Sequence, residues 1–483
     1  FNLQATPQLG LGQSLQLRGH LQQNAVQQNR LQGLLYVQLN ELSPAAWRQW
    51  IDLPSDLTQA TLDTQLWLQI EKNLITDITM DLRVYNGMWK SQHFGQIQAR
   101  SLRFFGSGPW ESFKAVADLQ PIAQRLQADP FRLEMYGRDV VWQHPAFSQA
   151  LSADQLILRA AREPQAPAIT IQEFVMDSSK GHARLHGTWT PQGLDLSQGK
   201  FDLQGELQQV ELKSLYQYFP VPAVSESVVD WLQHGLVSGR VPTAAIRLYG
   251  ALSQFPFTEP STGIFYVGGH FEHADIDYYP TTDLEKGWPK VEQATGYVTL
   301  RGNTLWVSAD QATLRPNGKD ALQASQVRVH IDDFSADEPI LSVKAHTEGP
   351  AQSYLGLMTH TDLGMWLDHV LDTTTATGQW QVPLDMLVNL ENDGEVEVAG
   401  QIQFHNNSLA LLQGVPPLEK VKGQLHFSDK GARAEGLTAD WLGGHLSLSQ
   451  QVGQANQYLL IKGKATMAAL VDYVDIPALG EYV

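Results

Sequence analysis

Apolar and polar residues alternate with a period of two along much of the chain. Ile78, Met80, Leu82 and Val84 are separated by Thr79, Asp81 and Arg83. Val327, Val329 and Ile331 alternate with Gln326, Arg328 and His330, and Val396, Val398, Ile402 and Phe404 with Glu395, Glu397, Gln401 and Gln403. A period of two sends successive side chains to opposite faces of a strand. Strands with one apolar and one polar face belong to antiparallel sheets with one wetted surface. In YVTLRGNTLWV, a two-residue turn at Gly302-Asn303 pairs Arg301 with Thr304, Leu300 with Leu305 and Val298 with Val307. That register collects four apolar residues on one face, which specifies it strongly. In QIQFHNNSLAL the same device at Asn406-Asn407 predicts Phe404 opposite Leu409 and Ile402 opposite Leu411.

Helical stretches are short and follow strands. LLYVQLNEL runs into Ser43-Pro44-Ala45-Ala46-Trp47, with Ser43 placed as N-cap and Pro44 at the first helical position. Similar transitions occur at Ser214-Leu215-Tyr216, from Pro350 to Leu355, and from Thr466 to Leu470. Their irregular spacing, above the period of common solenoids, suggests a long repeat of several strands plus one helix. The stretch from Ser214 to Trp306 has a degenerate second copy over 366–448. Trp366-Leu367-Asp368-His369 echoes Trp231-Leu232-Gln233-His234, and Gly423-Gln424-Leu425 echoes Gly296-Tyr297-Val298. Residues 100–180 carry the least readable pattern.

Composition narrows the functions. The 483 residues are too many for one ordinary core. Only 17% are charged, so polarity comes from amides and hydroxyls, which suits exposed strand faces. A net charge of −18 argues against nucleic acid and against broad docking on anionic membrane surfaces. The absence of cysteine removes disulfides, thiolate metal sites and cysteine nucleophiles. No apolar run reaches the ~18 residues of a transmembrane helix. A start at Phe1 without a signal-peptide pattern reads as a mature or excised piece of something longer.

Candidate chemistry is sparse. In GGHFEHADIDYYP an extended strand puts His273, Asp275 and Asp277 on one face with His270 nearby, a pattern that could ligate a metal. Aligning this segment with its copy instead puts His273-Ala274 at a hairpin turn, pairs Phe271 with Ile276 and points the acids to solvent. His360 with Asp362 lacks a second nearby imidazole and reads as a helix-start turn. Asp332-Asp333 reads as solvated loop, and Asn406-Asn407-Ser408 is formally a glycosylation sequon inside the expected hairpin. There is no nucleophile elbow, P-loop or dinucleotide fingerprint. No catalytic residue, metal or cofactor is assigned. What remains is the apolar face, which either closes on itself in a sandwich or barrel or lines an open trough.

The succession Tyr218-Phe219-Pro220, Trp231-Leu232, Gly235-Leu236, Gly239-Arg240-Val241, Gly250-Ala251-Leu252, Phe255-Pro256-Phe257, Gly263-Ile264-Phe265, Tyr279-Pro280 and Gly287-Trp288-Pro289 resembles the AsmA-like proteins of Gram-negative bacteria. Within them it is most similar to the YhdP branch. The resemblance implies an inner-membrane-anchored periplasmic protein whose repeating β-groove units form a bridge for phospholipid, with no catalytic residues. The expected fold is therefore mainly β, an elongated, twisted antiparallel sheet curled into an open apolar trough with short helices at repeat ends. Expected divisions are 1–212, 213–349, 350–466 and 467–483, the last the start of a further helix or repeat.

The expected lining includes Ile78, Met80, Leu82, Val84, Val298, Leu300, Leu305, Val307, Val327, Val329, Ile331, Val396, Val398, Ile402 and Phe404. Expected partners are phospholipids or other acyl-chain lipids, with inner- and outer-membrane components, and no nucleic acid. A closed β scaffold or adhesion protein of the envelope is the alternative, with a hydrolase behind it.

Overall fold

The structure is a computed structural model that describes residues 1–7, 11–24, 30–47, 57–91, 95–110, 130–145, 147–192, 199–219, 226–278, 280, 288–316, 320–360, 373–390, 396–428, 431–452 and 457–474. It is mainly β, with 24 strands assigned to one antiparallel sheet that does not close into a barrel. The chain divides into two units, Phe1–Glu226 with Val241–Gly268 and Ser227–Arg240 with Gly269–Val483.

Unit 1 holds β1 (Asn2–Ala5), β2 (Ser14–Asn24), β3 (Arg30–Leu42), β4 (Leu57–Glu71), β5 (Leu74–Ser91), β6 (Gly95–Pro109), β7 (Phe131–Gln143), β8 (Leu151–Arg162), β9 (Ile169–Ser178), β10 (Gly181–Thr190) and β11 (Lys200–Glu211). Each pairs antiparallel with the next, so the sequence forms a simple meander. The registers line up apolar residues across the whole unit. One row runs through Ala5, Leu15, Leu39, Thr64, Leu82, Phe104, Met135, Leu158, Phe174, Leu185 and Gly205. The opposite face carries Gln4, Gln16, Gln38, Gln65, Asp81, Phe105, Glu134, Arg159 and Glu173 in register.

Strands β12 (Leu236–Ala251) and β13 (Gly263–Ile276) contribute to both units. Unit 2 continues with β14 (Val291–Arg301), β15 (Thr304–Leu314), β16 (Leu322–Ile331), β17 (Ile340–Pro350), β18 (Thr375–Thr377), β19 (Gln379–Asn389), β20 (Val396–Ala410), β21 (Leu418–Ser428), β22 (Gly431–Trp441), β23 (Gly444–Val452) and β24 (Gln457–Gly463). The Gly302-Asn303 hairpin forms as expected, with Leu300 opposite Leu305 and Val298 opposite Val307. Short β18 prolongs the line of β19 past Gly378, and both pair with β20. The strand-to-helix transitions are also present, at Pro44–Trp47, at Ala351–His360, at Met467–Val474 and, as a 3-10 turn, at Leu212–Tyr218. A further helix, Glu226–Gly235, leads into β12.

The two other expected hairpins do not form. β20 runs straight through Asn406-Asn407, and β13 runs through His273-Ala274. Phe404 faces Gly423 and Ile402 faces Leu425, both on β21. His273 (φ 51) and Asn406 (φ 61) both adopt left-handed backbone inside a strand. Each is exposed and followed by a deeply buried residue, Ala274 at 0% and Asn407 at 2%. Two consecutive polar residues and an Asn that tolerates positive φ suit a bulge as well as a turn.

This bulge recurs. In unit 1 it falls at Glu41, Asn86, Asp139 and Gln209 (φ 52, 50, 49 and 51). In unit 2 it falls also at Gln293, Gln326 and Lys420 (φ 52, 51 and 50). Every one is exposed, and the next residue turns back to the apolar side. In each unit these positions lie near one edge of the sheet, the edge to which the helical connections attach. A bulge bends its strand and adds twist, so a line of them forms a crease. The packing shows the effect. Val84 and Leu102 from one side of the crease share a cluster with Ala99 and Val140 from the other, together with Leu42 and Leu62. All six come from strands of a single sheet, which can bury its own face this way only by curving.

Candidate functional site

On β5, Ile78, Met80, Leu82 and Val84 point to the creased side. Their neighbours are Leu68, Leu66, Thr64 and Leu62 on β4 and Gly108, Gly106, Phe104 and Leu102 on β6. Ile78 and Val84 are buried at 4% and 2%, whereas Met80 and Leu82 are half-buried. Half-burial is the rule along the unit 1 rows. Leu15, Leu39, Phe104, Met135, Leu158, Phe174 and Leu185 are all partly open to solvent. A closed core buries such residues almost completely.

In unit 2 the registers place Val298, Val307, Val329, Val343, Met386 and Val398 in one cross-strand row. Leu300, Leu305, Ile331, Leu341, Val388 and Val396 form the next. Val327 stands opposite Ala309, just past the bulge at Gln326. Of these, Val298, Leu300, Leu305, Val307, Val327 and Val329 are half-buried. Ile402 (3%) and Phe404 (5%) lie instead under the helix Ala351–His360, packed with Tyr354, Leu355 and Trp380.

The sequence pattern missed much of the apolar face of unit 1, notably Leu133 and Met135 in FRLEMYG and Leu156 and Leu158 in QLILRAA. A signal was present, since these residues also alternate. It was blurred by the crease, which doubles exposed residues at Arg138-Asp139 and Asp154-Gln155, and by Phe105 and Ile157 on the opposite face.

That opposite face carries the charge. Arg103 donates to Asp81 through Nε (2.9 Å) and Nη2 (2.8 Å), and Arg83 adds a longer contact at 3.4 Å. Tyr136 donates to Glu134, accepts from Arg159, and Arg159 pairs with Glu173 at 2.9 Å. Hydrogen bonding from Arg103 holds the Asp81 carboxyl below its ordinary range against the opposing effect of burial. The depressed folded value means the pair stabilises fully above the unfolded carboxylate pKa of about 3.9 and is lost as pH falls through the folded value. Arg103→Met is therefore expected to lower stability at neutral pH by about 1 kcal/mol, and less in acid, a small figure because Arg103 is half in solvent. Denaturation midpoints at several pH values check this.

The residues of the possible metal site have separate partners. The His270 ring meets the Gly296 carbonyl at 3.1 Å, and the His273 ring meets the Gln293 amide at 2.9 Å. Burial favours the neutral form of Asp275, but the Gln293 backbone N–H (2.9 Å) and the Ser238 hydroxyl (2.7 Å) outweigh it and keep its carboxyl below the usual range. Asp277 pairs with Lys290 at 3.2 Å. Asp333 accepts from the backbone N–H and hydroxyl of Ser335. Among the described residues no three metal-ligating side chains converge. Asp362 and the Trp366–Leu371 echo lie outside the described residues.

The sequence matches the YhdP protein family over residues 96–482. The chain belongs to the YhdP family. A YhdP relative from Escherichia coli (strain K12), named intermembrane phospholipid transporter YhdP, is 24% identical over 227 residues, which covers 47% of this chain and 17% of the relative. The matched part is thus less than a fifth of that YhdP protein's length. No solved structure matches. Among the described residues of this YhdP-family chain no helix is long and apolar enough to cross a membrane.

Proposed function

We propose that this chain is a segment of a periplasmic bridge that carries phospholipid between the inner and outer membranes along its apolar face. The observation that carries the reading is the apolar register across β1 to β11, interrupted by a polar side chain at Thr64 and half-buried from β2 onward. At about 4.8 Å per strand such a row extends for about 50 Å. Each acyl CH₂ costs about 0.8 kcal/mol to expose to water, so a two-chain lipid crossing an aqueous gap faces a barrier on the order of tens of kcal/mol. A continuous apolar wall removes most of that barrier while an open side leaves the headgroup hydrated. Many similar weak contacts then serve better than one tight site, because a tight site would retain the lipid. The family membership and the relative's name support the same reading. Membrane components at either end, and an inner-membrane anchor in the full-length protein, belong to this proposal.

Native mass spectrometry of the purified chain tests it. Bound phospholipid is expected to survive purification, or to load from vesicles. A chain that stays lipid-free in both experiments would support the closed-scaffold alternative instead.

A further inference from the structure

The lining of unit 2 continues under a cover. On β19, Met386 stands in the open row, and Val382 and Trp380 follow on the same face of the same strand. On β20, Val398 is followed by Ile402 and Phe404 in the same way. The covered residues are apolar and in register like the open ones, but the helix Ala351–His360 lies over them through Ala351, Tyr354 and Leu355.

This contact lacks the polar completeness of a permanent core. Trp380 and Ser353 are each only 3% exposed, yet the indole Nε1 and the Ser353 hydroxyl have no hydrogen-bond partner among the described residues. Buried donors are nearly always paired, and an unpaired one disfavours the arrangement that buries it. An indole N–H is a donor only, so whatever satisfies it must be an acceptor. An ester carbonyl at the head of an acyl chain fits that description, and the chain itself fits the apolar seat.

The helix is fastened at its start. The Ala351 N–H donates to the Gly378 carbonyl (2.9 Å), the Ala376 N–H donates to Gln352 Oε1 (3.1 Å), and the Tyr354 hydroxyl donates to Thr347 Oγ1 (2.7 Å). These bonds fasten the helix to the sheet, and the Tyr354–Thr347 bond is the one that must open for Tyr354 and Leu355 to lift off the cluster they cover.

We propose that the seat beneath this helix, lined by Trp380, Val382, Ile402, Phe404 and Val421, is an acyl-chain site, and that the helix is a plug which a lipid displaces. The inference rests on the reading of the apolar face as a lipid path. It adds a place where passage through unit 2 is controlled.

The test uses the full chain, which contains no cysteine. Thr347→Cys with Tyr354→Cys allows the helix to be tied to β17 by a short reducible thiol cross-linker. A photoreactive p-azidophenylalanine is placed at Phe404 under the helix, or at Phe104 in the open row of unit 1. The protein is incubated with vesicles of phosphatidylethanolamine and phosphatidylglycerol, illuminated, and analysed for lipid adducts. Position 104 is expected to label whether the helix is tied or free. Position 404 is expected to label when the cross-link is reduced and to fall to background when it is closed. The same photoreactive residue at Leu425, half-buried opposite Ile402, gives a second reading that leaves the Trp380 contact intact.

Equal labelling beneath the helix in both states would overturn the plug. Labelling at 104 with none at 404 or 425 in either state would also overturn it, by making the helix a fixed roof. No labelling at any position would remove the lipid-path reading and the plug with it.

Discussion

Val329→Asp combined with Met386→Asp is expected to reduce phospholipid capture by about tenfold or more while the sheet stays folded. Both residues are half-buried members of the row that runs from Val298 to Val398, separated in that row by Val343. A carboxylate there still reaches water from the open side, so the fold tolerates it. An acyl chain passing over it must desolvate the charge without offering a partner, and that penalty falls on the bound state alone. The choice of positions matters. Val398 stands in the same row but is only 9% exposed, so an acid there would confound transport with stability. Native mass spectrometry of lipid loading, with circular dichroism to confirm strand content, reads the result. Unchanged loading in a folded double variant would mean that this row is not the path.

The largest stability effect is expected at Phe404. Its ring meets Trp380 edge-on at 5.6 Å, and Trp380 lies 5.8 Å from Tyr354 of the covering helix. Phe404→Ala leaves a void where helix, β19 and β20 meet, with an expected loss of about 3–5 kcal/mol. Trp380→Phe should behave differently. It keeps a ring in place and removes an N–H with no partner among the described residues, but it also empties part of the buried indole's volume, so the expected change is a loss of about 1–2 kcal/mol, well short of Phe404→Ala. A chain with two units need not unfold in one step, so hydrogen exchange of the β19 to β21 amides under increasing urea is the suitable measurement. A large loss for Trp380→Phe would mean that the indole N–H is paired, which would remove one support for the plug.

Much of this architecture was legible in the sequence. Strict alternation at 78–84 and 327–331, and the Gly302-Asn303 turn, depend on local rules that the sheet obeys. The helix starts were legible for the same reason, since Pro44 and Pro350 mark where a strand can no longer continue. The Asn406-Asn407 and His273-Ala274 turns misled because polarity and tolerance of positive φ do not say whether the chain reverses or only bends. For Asn406 that choice is made by β21, which pairs alongside and keeps β20 extended past the kink. The covering of Ile402 and Phe404 was not legible either. Their alternation is identical to that of the half-buried rows, and the helix that hides them arrives from the previous strand connection. These apolar side chains look alike in sequence; only the tertiary arrangement separates the half-buried rows from the covered cluster.

The crease has a consequence for how such a chain can change length. Within each unit, each bend is written into its own strand and sits near one edge because alternate strands run the same way. Adding or deleting two neighbouring strands therefore leaves every remaining bend on that edge and keeps the helical connections with it. Adding or deleting one strand would send all later bends to the opposite edge and break the line. Length is thus a modular quantity here, free to vary in steps of a hairpin. The positions that carry the bend are held by Glu, Asn, Asp, Gln, His or Lys alike, so substitution can go far while the cross-section is kept.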